Sequence, residues 1–79
     1  MTTKNIQLLS ISDVKEFVNA ANSIDFDIDL ISGRYTVDAK SIMGIFSLDL
    51  TKPIVIAANT DNAEKANQFF DSIKKFIID

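Results

Sequence analysis

Two reactive side chains are missing from this chain of 79 residues, which has no cysteine and no histidine. Without cysteine there is neither a disulfide framework nor a thiolate metal site, so a domain this small must be held together by its apolar core. Without histidine, imidazole chemistry of any kind is excluded, and the chain is expected to act as a binding or regulated module, with no catalytic residue, no metal and no cofactor. Proline occurs once, at Pro53, and glycine twice, at Gly33 and Gly44. That scarcity leaves no Pro/Gly-rich linker, and no internal repeat or low-complexity tract is evident. The apolar runs are short, such as Ile54 to Ala58, so neither a secretory segment nor a membrane span is expected and a cytoplasmic location is the default. Eight basic side chains against eleven acidic ones give a net charge of −3, which offers nucleic acid phosphates no attraction.

What is present is an ordinary globular balance, 47% hydrophobic and 24% charged, enough for one core and too little for two. Residues 1–79 are therefore expected to form a single domain. Lys4 to Leu9 reads as a strand that ends in the polar group Ser10, Ser12 and Asp13, where a helix begins. Val14, Phe17, Val18 and Ala21 follow at i, i+3, i+4 and i+7, one face of that helix, which stops near Asn22. From Asp25 to Ser32 the chain alternates, with Phe26, Ile28 and Leu30 on one face and Asp25, Asp27 and Asp29 on the other, so a strand with one wet face is predicted. Ser32, Gly33 and Arg34 turn the chain into a second arm at Tyr35 to Asp38, an antiparallel hairpin.

Ser41 to Leu48 reads as a short helix capped by Ser41, with Ile42 and Phe46, joined by Ile45, on its inner side. Pro53 opens a fourth strand that runs to Asn59. Asp61 and Glu64 have capping-box spacing before a last helix striped by Ala66, Phe70, Ile73 and Ile77 and widened by Phe69 and Phe76. The order is βαββαβα. The predicted fold class is α+β, an open-faced β-sandwich with a four-stranded antiparallel sheet and its helices on one face. Its expected core is Ile6, Leu8, Val14, Phe17, Val18, Phe26, Ile28, Leu30, Val37, Ile54, Ile56, Phe70, Ile73 and Ile77. The Asp25, Asp27, Asp29 ladder could in principle recruit a hard cation, but successive outward residues on a strand project in parallel, and a solvated face explains them without further assumption.

The segment Ala39-Lys40-Ser41-Ile42-Met43-Gly44-Ile45-Phe46-Ser47-Leu48, set after a hairpin and before a strand, closely resembles the regulatory-serine segment of the HPr family. HPr is the histidine-containing phosphocarrier of the bacterial sugar phosphotransferase system. Element order and spacing resemble that family along essentially the whole chain. In the family the phosphorylated histidine stands at the start of the first helix within Gly-x-His-x-Arg-Pro, takes phosphate from enzyme I and passes it to sugar-transporter subunits. Counting back from the serine segment puts Ser10 at the histidine position, Ser12 at the arginine position and Asp13 at the proline position, so the resemblance implies a degenerate member without its phosphoacceptor.

Ser41 keeps the family pattern. In related proteins the matching serine is phosphorylated by HPr kinase/phosphorylase, and the product co-regulates carbon catabolite repression. The resemblance thus implies a regulatory phosphoserine at Ser41 and a partner-docking patch at Ile42, Met43 and Phe46, with HPr kinase/phosphorylase or a catabolite-control regulator as partner. Two other readings stay open: a structural interaction domain in which Ser10, Ser12 and Ser41 are only helix caps, and a phosphocarrier that uses an acceptor other than histidine.

Overall fold

A computed structural model describes residues 2–78. Four strands, β1 (Thr2–Ile6), β2 (Asp27–Ser32), β3 (Tyr35–Asp38) and β4 (Ile54–Asn59), alternate with three helices, α1 (Ile11–Asn22), α2 (Ile42–Phe46) and α3 (Ala63–Ser72). The strands form one antiparallel sheet in the order β1-β4-β2-β3. Ile6, Ile28, Leu30, Ile54, Ile56 and Ala58 turn to the helical side and are buried, while Thr3, Asp27, Thr36 and Asn59 face the open side. This is the open-faced architecture expected from the alternation in β2 and the stripe in α1.

Several boundaries move, each for a local reason. Strand β1 ends at Ile6 and does not reach Leu9. Ile6 pairs with Ile54, and the next residue of β4 toward the chain start is Pro53, which has no N–H to give the ladder. Strand β2 begins at Asp27, so Asp25 lies outside the acidic ladder; it faces Lys65 in an exposed ion pair at 3.4 Å. The cap of α3 is Asn62 and not Asp61: the Asn62 side chain accepts from the Lys65 N–H at 3.1 Å, while the Thr60 hydroxyl accepts from the Asn62 N–H at 3.1 Å. With that shift Glu64 falls in the first turn, where its charge suits the helix dipole.

The last helix is also shorter than its stripe. After Ser72 the chain tightens into a 3₁₀ turn, Lys74–Phe76, which swings Phe76 inward. Ile77 then forms an isolated antiparallel bridge with Ile6, bracketed by Gln7 N–H to Phe76 O at 2.9 Å and Ile78 N–H to Asn5 O at 3.0 Å. Ile77 is accordingly half-buried, as are Phe26 and Val37, three positions expected in the core. Ala21, Ala39, Ile45, Leu48, Ala57, Ala58, Ala66, Phe69 and Phe76 are buried beyond the expected list. Ala21 and Ala66 lie on the predicted helix stripes, while Ala39, Ala57 and Ala58 carried too weak a hydropathy signal to be singled out.

Phe17 organises the interior. Its ring meets Phe69 at 6.3 Å and 67° and Phe76 at 6.5 Å and 75°, both edge-to-face, and Phe69 in turn meets Phe26 at 6.4 Å and 88°. Such pairs add about 0.5–1.5 kcal/mol each to the area they bury. Gly33, at φ +60°, occupies the one left-handed position among the described residues, in the β2–β3 turn. Two outcomes are expected in chemical denaturation. Phe17→Ala should cost about 3–5 kcal/mol. Gly33→Ala should cost only about 1 kcal/mol, because an added Cβ there meets open space and the penalty is backbone strain alone.

Candidate functional site

The residues singled out in the sequence fall at two helix starts, those of α1 and α2. Ser10 is the N-cap of α1, extended at φ −150° and ψ 166°. Its Oγ accepts from the Asp13 N–H at 3.1 Å, one half of a capping box. The other half is displaced by one residue: the Asp13 carboxylate accepts at 2.9 Å from the N–H of Leu9, just before the cap. Two backbone N–H groups at this end are thereby satisfied from within the chain, and the negative charge that suits a helix start is supplied by Asp13. Ser12 is exposed on the same turn.

Ser41 caps α2 in the same way, its Oγ accepting from the Gly44 N–H at 3.2 Å. Asp38 sets the approach, since its carboxylate accepts from the Lys40 N–H at 2.8 Å and its carbonyl from the Ser41 N–H at 3.0 Å. Gly44 is favoured by closeness and not by its φ: a Cβ there would stand 3.3 Å from both Ser41 Oγ and Val37 Cβ, a tight contact to which one of them would have to yield. The residue that anchors α2 in the core is Ile45, fully buried, with Ile42 only partly so. Phe46, expected on the inner side, is 42% exposed, and Met43 is 78% exposed.

Two further apolar residues were missed in the sequence. Leu9 and Ile11, on either side of Ser10, are 79% and 63% exposed. Four of the six large apolar side chains that stand exposed among the described residues therefore lie at the starts of α1 and α2 or along α2. Leu9, Ser10, Ile11, Phe46 and Leu50 line one shallow groove of about 490 Å³, with Gln7 and Thr51 at its polar edge. The structure thus brings the Ser10 end of α1 and the Phe46 end of α2 together, while Ser41 and Met43 stand outside the groove lining. No signal marked Ile11, which stands three residues before Val14 and seven before Val18, in phase with the buried stripe. Leu9 had none, because it closes an apolar run that reads as strand.

The loop after α2 borders the same groove. Asp49 accepts from the Thr51 hydroxyl at 2.5 Å and from the Thr51 N–H at 3.1 Å. These bonds, the hydroxyl first, hold its carboxyl below the ordinary carboxylate value, with a smaller contribution from Lys52. On the open side of the sheet, Asp29 accepts from Asn59 Nδ2 at 2.9 Å, and Asp27 stands opposite Asn59 in register. No three acidic side chains converge as metal ligands would among the described residues.

The site thus stands on a four-stranded antiparallel sheet with helices on one face, where the start of α1 lies beside the Phe46 end of α2. Residues 5–79 match the family model described as the PTS HPr component phosphorylation site. The chain belongs to the HPr family of phosphotransferase-system phosphocarriers, which are carriers and not catalytic enzymes.

Among solved structures it is similar to HPr-C-His from Thermoanaerobacter tengcongensis, with 28% identity, 95% of this chain and 93% of that one covered, and a TM-score of 0.76. The phosphocarrier protein HPr from Bacillus anthracis str. Ames is 28% identical over 98% of this chain and 96% of its own, with a TM-score of 0.72. The catabolite repression protein Crh of Bacillus subtilis, described as an intertwined dimer with a swapped domain, shares the fold at 23% identity and a TM-score of 0.66, over 94% of this chain and 88% of that one. A comparison with curated proteins found no match. No helix among the described residues is long and apolar enough to cross a membrane.

Three measurements check the local geometry. Ser41→Ala should lower stability by about 1 kcal/mol through loss of the α2 cap. Gly44→Ala should displace the Ser41 side chain, visible as a changed Ser41 Cβ shift by NMR. Thr51→Val should raise the Asp49 pKa toward the ordinary carboxylate value in a carbon-detected titration. Because the folded-state pKa is the lower one, the stabilisation from Asp49 is complete above the unfolded carboxylate pKa and is lost as pH falls through the folded one.

Proposed function

We propose that this chain is a regulatory, protein-binding member of the HPr family that no longer carries phosphate on histidine. The observation that supports this most directly is the closed start of α1. The sequence has no histidine anywhere, and the position that the family gives to it is Ser10, whose Oγ is engaged by the Asp13 N–H. The Asp13 carboxylate, held on the Leu9 N–H, stands beside the helix start that a phosphoryl group would approach. A phosphate arriving there meets like charge, and Ser12 supplies no guanidinium to offset it. A serine phosphate ester also lacks the labile P–N bond from which a carrier passes its phosphate on.

What remains is recognition. Ser41 is exposed at the start of α2, where added negative charge is tolerated by the helix dipole. In the reaction proposed for it, Ser41 Oγ attacks the γ-phosphorus of ATP, the bond to the departing ADP breaks, and the kinase takes the hydroxyl proton. Beside it, Met43, Phe46 and part of Ile42 join Leu9 and Ile11 in a surface of adaptable apolar side chains suited to docking a protein partner. HPr kinase/phosphorylase and a catabolite-control regulator in the cytoplasm are the partners this reading names. The presence of Crh among the structural relatives supports the regulatory direction. The absent arginine at position 12 weighs against a regulator that grips both helix starts. A second reading, a structural interaction domain with unmodified serines, is favoured by one observation: the Ser41 hydroxyl already has a complete role as the α2 cap.

Incubation with ATP and HPr kinase/phosphorylase separates the two. Phosphate on Ser41, assigned by mass spectrometry and lost in Ser41→Ala, is the expected result; no incorporation leaves the capping role alone. Incubation with phosphoenolpyruvate and enzyme I should give no phosphoryl transfer, and measurable transfer would overturn the loss of carrier function.

A further inference from the structure

Lys40 precedes Ser41, yet its side chain is committed elsewhere. Its Nζ donates at 3.1 Å to the carbonyl of Ile24, a half-buried hydrogen bond across 16 residues of sequence to the loop between α1 and β2. Apolar packing also holds that loop, with Ile24 and Phe26 half-buried against the core, but its other polar ties among the described residues are local or weak. Ser23 and Ile24 bond back only to the end of α1, at Ala20 and Ala21, and the ion pair between Asp25 and Lys65 is exposed on both sides and weak for that reason. The Phe26 ring rests edge-on against Phe69. The Lys40 ammonium is therefore a strap from the turn that carries Ser41 to the start of β2.

We propose that a phosphoryl group on Ser41 draws the Lys40 ammonium off the Ile24 carbonyl, so that modification at α2 loosens the α1–β2 loop on another part of the molecule. This inference rests on the reading of Ser41 as a phosphoacceptor. Consecutive Cα atoms lie about 3.8 Å apart, which keeps the new phosphate within the span of a lysine stem. The Asp38 carboxylate is already fixed on the Lys40 N–H, so a phosphorylated Ser41 places two anionic groups around residue 40. A bond from an ammonium to a phosphate dianion is stronger than one to a neutral carbonyl. Once released, the Ile24 carbonyl is solvated by water in a loop that is only half-buried.

The test uses the full chain made by chemical synthesis with phosphoserine at position 41, so that no kinase is needed. The carbonyl ¹³C shift of Ile24 and the amide exchange of residues 24–27 are compared with those of the unmodified chain. Release should move the Ile24 carbonyl shift toward its solvated value and speed exchange in the loop about tenfold. Lys40→Met, which keeps the stem and removes the charge, should show the fast exchange already and gain nothing further from phosphoserine. An unchanged Ile24 carbonyl in the phosphorylated chain overturns the strap, as does an equal response in the Lys40→Met background. Release in the synthetic phosphoprotein, combined with no labelling of Ser41 by the kinase, supports the strap and removes the phosphoacceptor reading.

Discussion

Strand β4 is the element on which the rest of the structure hangs. It lies between β1 and β2 and pairs with both, so neither N-terminal strand has a place in the sheet without it. Its inward residues Ile54, Ile56 and Ala58 are fully buried beneath the helices, and even Ala57, on the other face, is shielded by its neighbours. Pro53 fixes where this strand starts, and through the pairing of Ile54 with Ile6 it also fixes where β1 stops. The chain leaving β1 must then turn at once into α1, which is what sets Leu9, Ser10 and Ile11 at the surface. A backbone constraint in the second half of the sequence thus decides the geometry of the site near its beginning.

The aromatic cluster completes this arrangement from the other side. Phe17 on α1 meets Phe69 on α3 and Phe76 beyond it, so the two long helices share one apolar seam. The bridge of Ile77 to Ile6 closes the chain back onto β1. Helix α2 contributes through Ile45 alone among its residues at full burial. That thin anchorage leaves Met43 and Phe46 outward, and it frees most of the α2 surface for recognition.

Much of this was legible in the sequence wherever a physical period was strong. The stripe of α1 needs only Val14, Phe17, Val18 and Ala21, and all four are buried. The alternation from Asp27 to Ser32, the left-handed Gly33 turn and the Ser10 and Ser41 caps are local patterns, and local patterns survive folding. What the sequence hid depends on contacts between distant segments. Nothing near Ile77 announces that it leaves the helical path to pair with Ile6, and nothing near Leu9 shows that the sheet ends three residues earlier because of Pro53. The choice of Asn62 over Asp61 as cap turned on the Thr60 hydroxyl, a competition between adjacent residues that spacing rules do not resolve. In the site, the serines and Met43 could be found from the family pattern. The groove that unites Ile11 with Phe46 could not, because it exists only after α1 and α2 are brought together.

The Asp13 carboxylate on the Leu9 N–H has a consequence beyond closing a helix. An anion that is part of the chain sits at its seat with an effective concentration that no dissolved phosphate or phosphoenolpyruvate approaches. Engagement of the Leu9 N–H is therefore set within the chain and not by the supply of dissolved anions. The bond also works as a latch, tying the residue that leaves the first strand to the first turn of the helix that follows it.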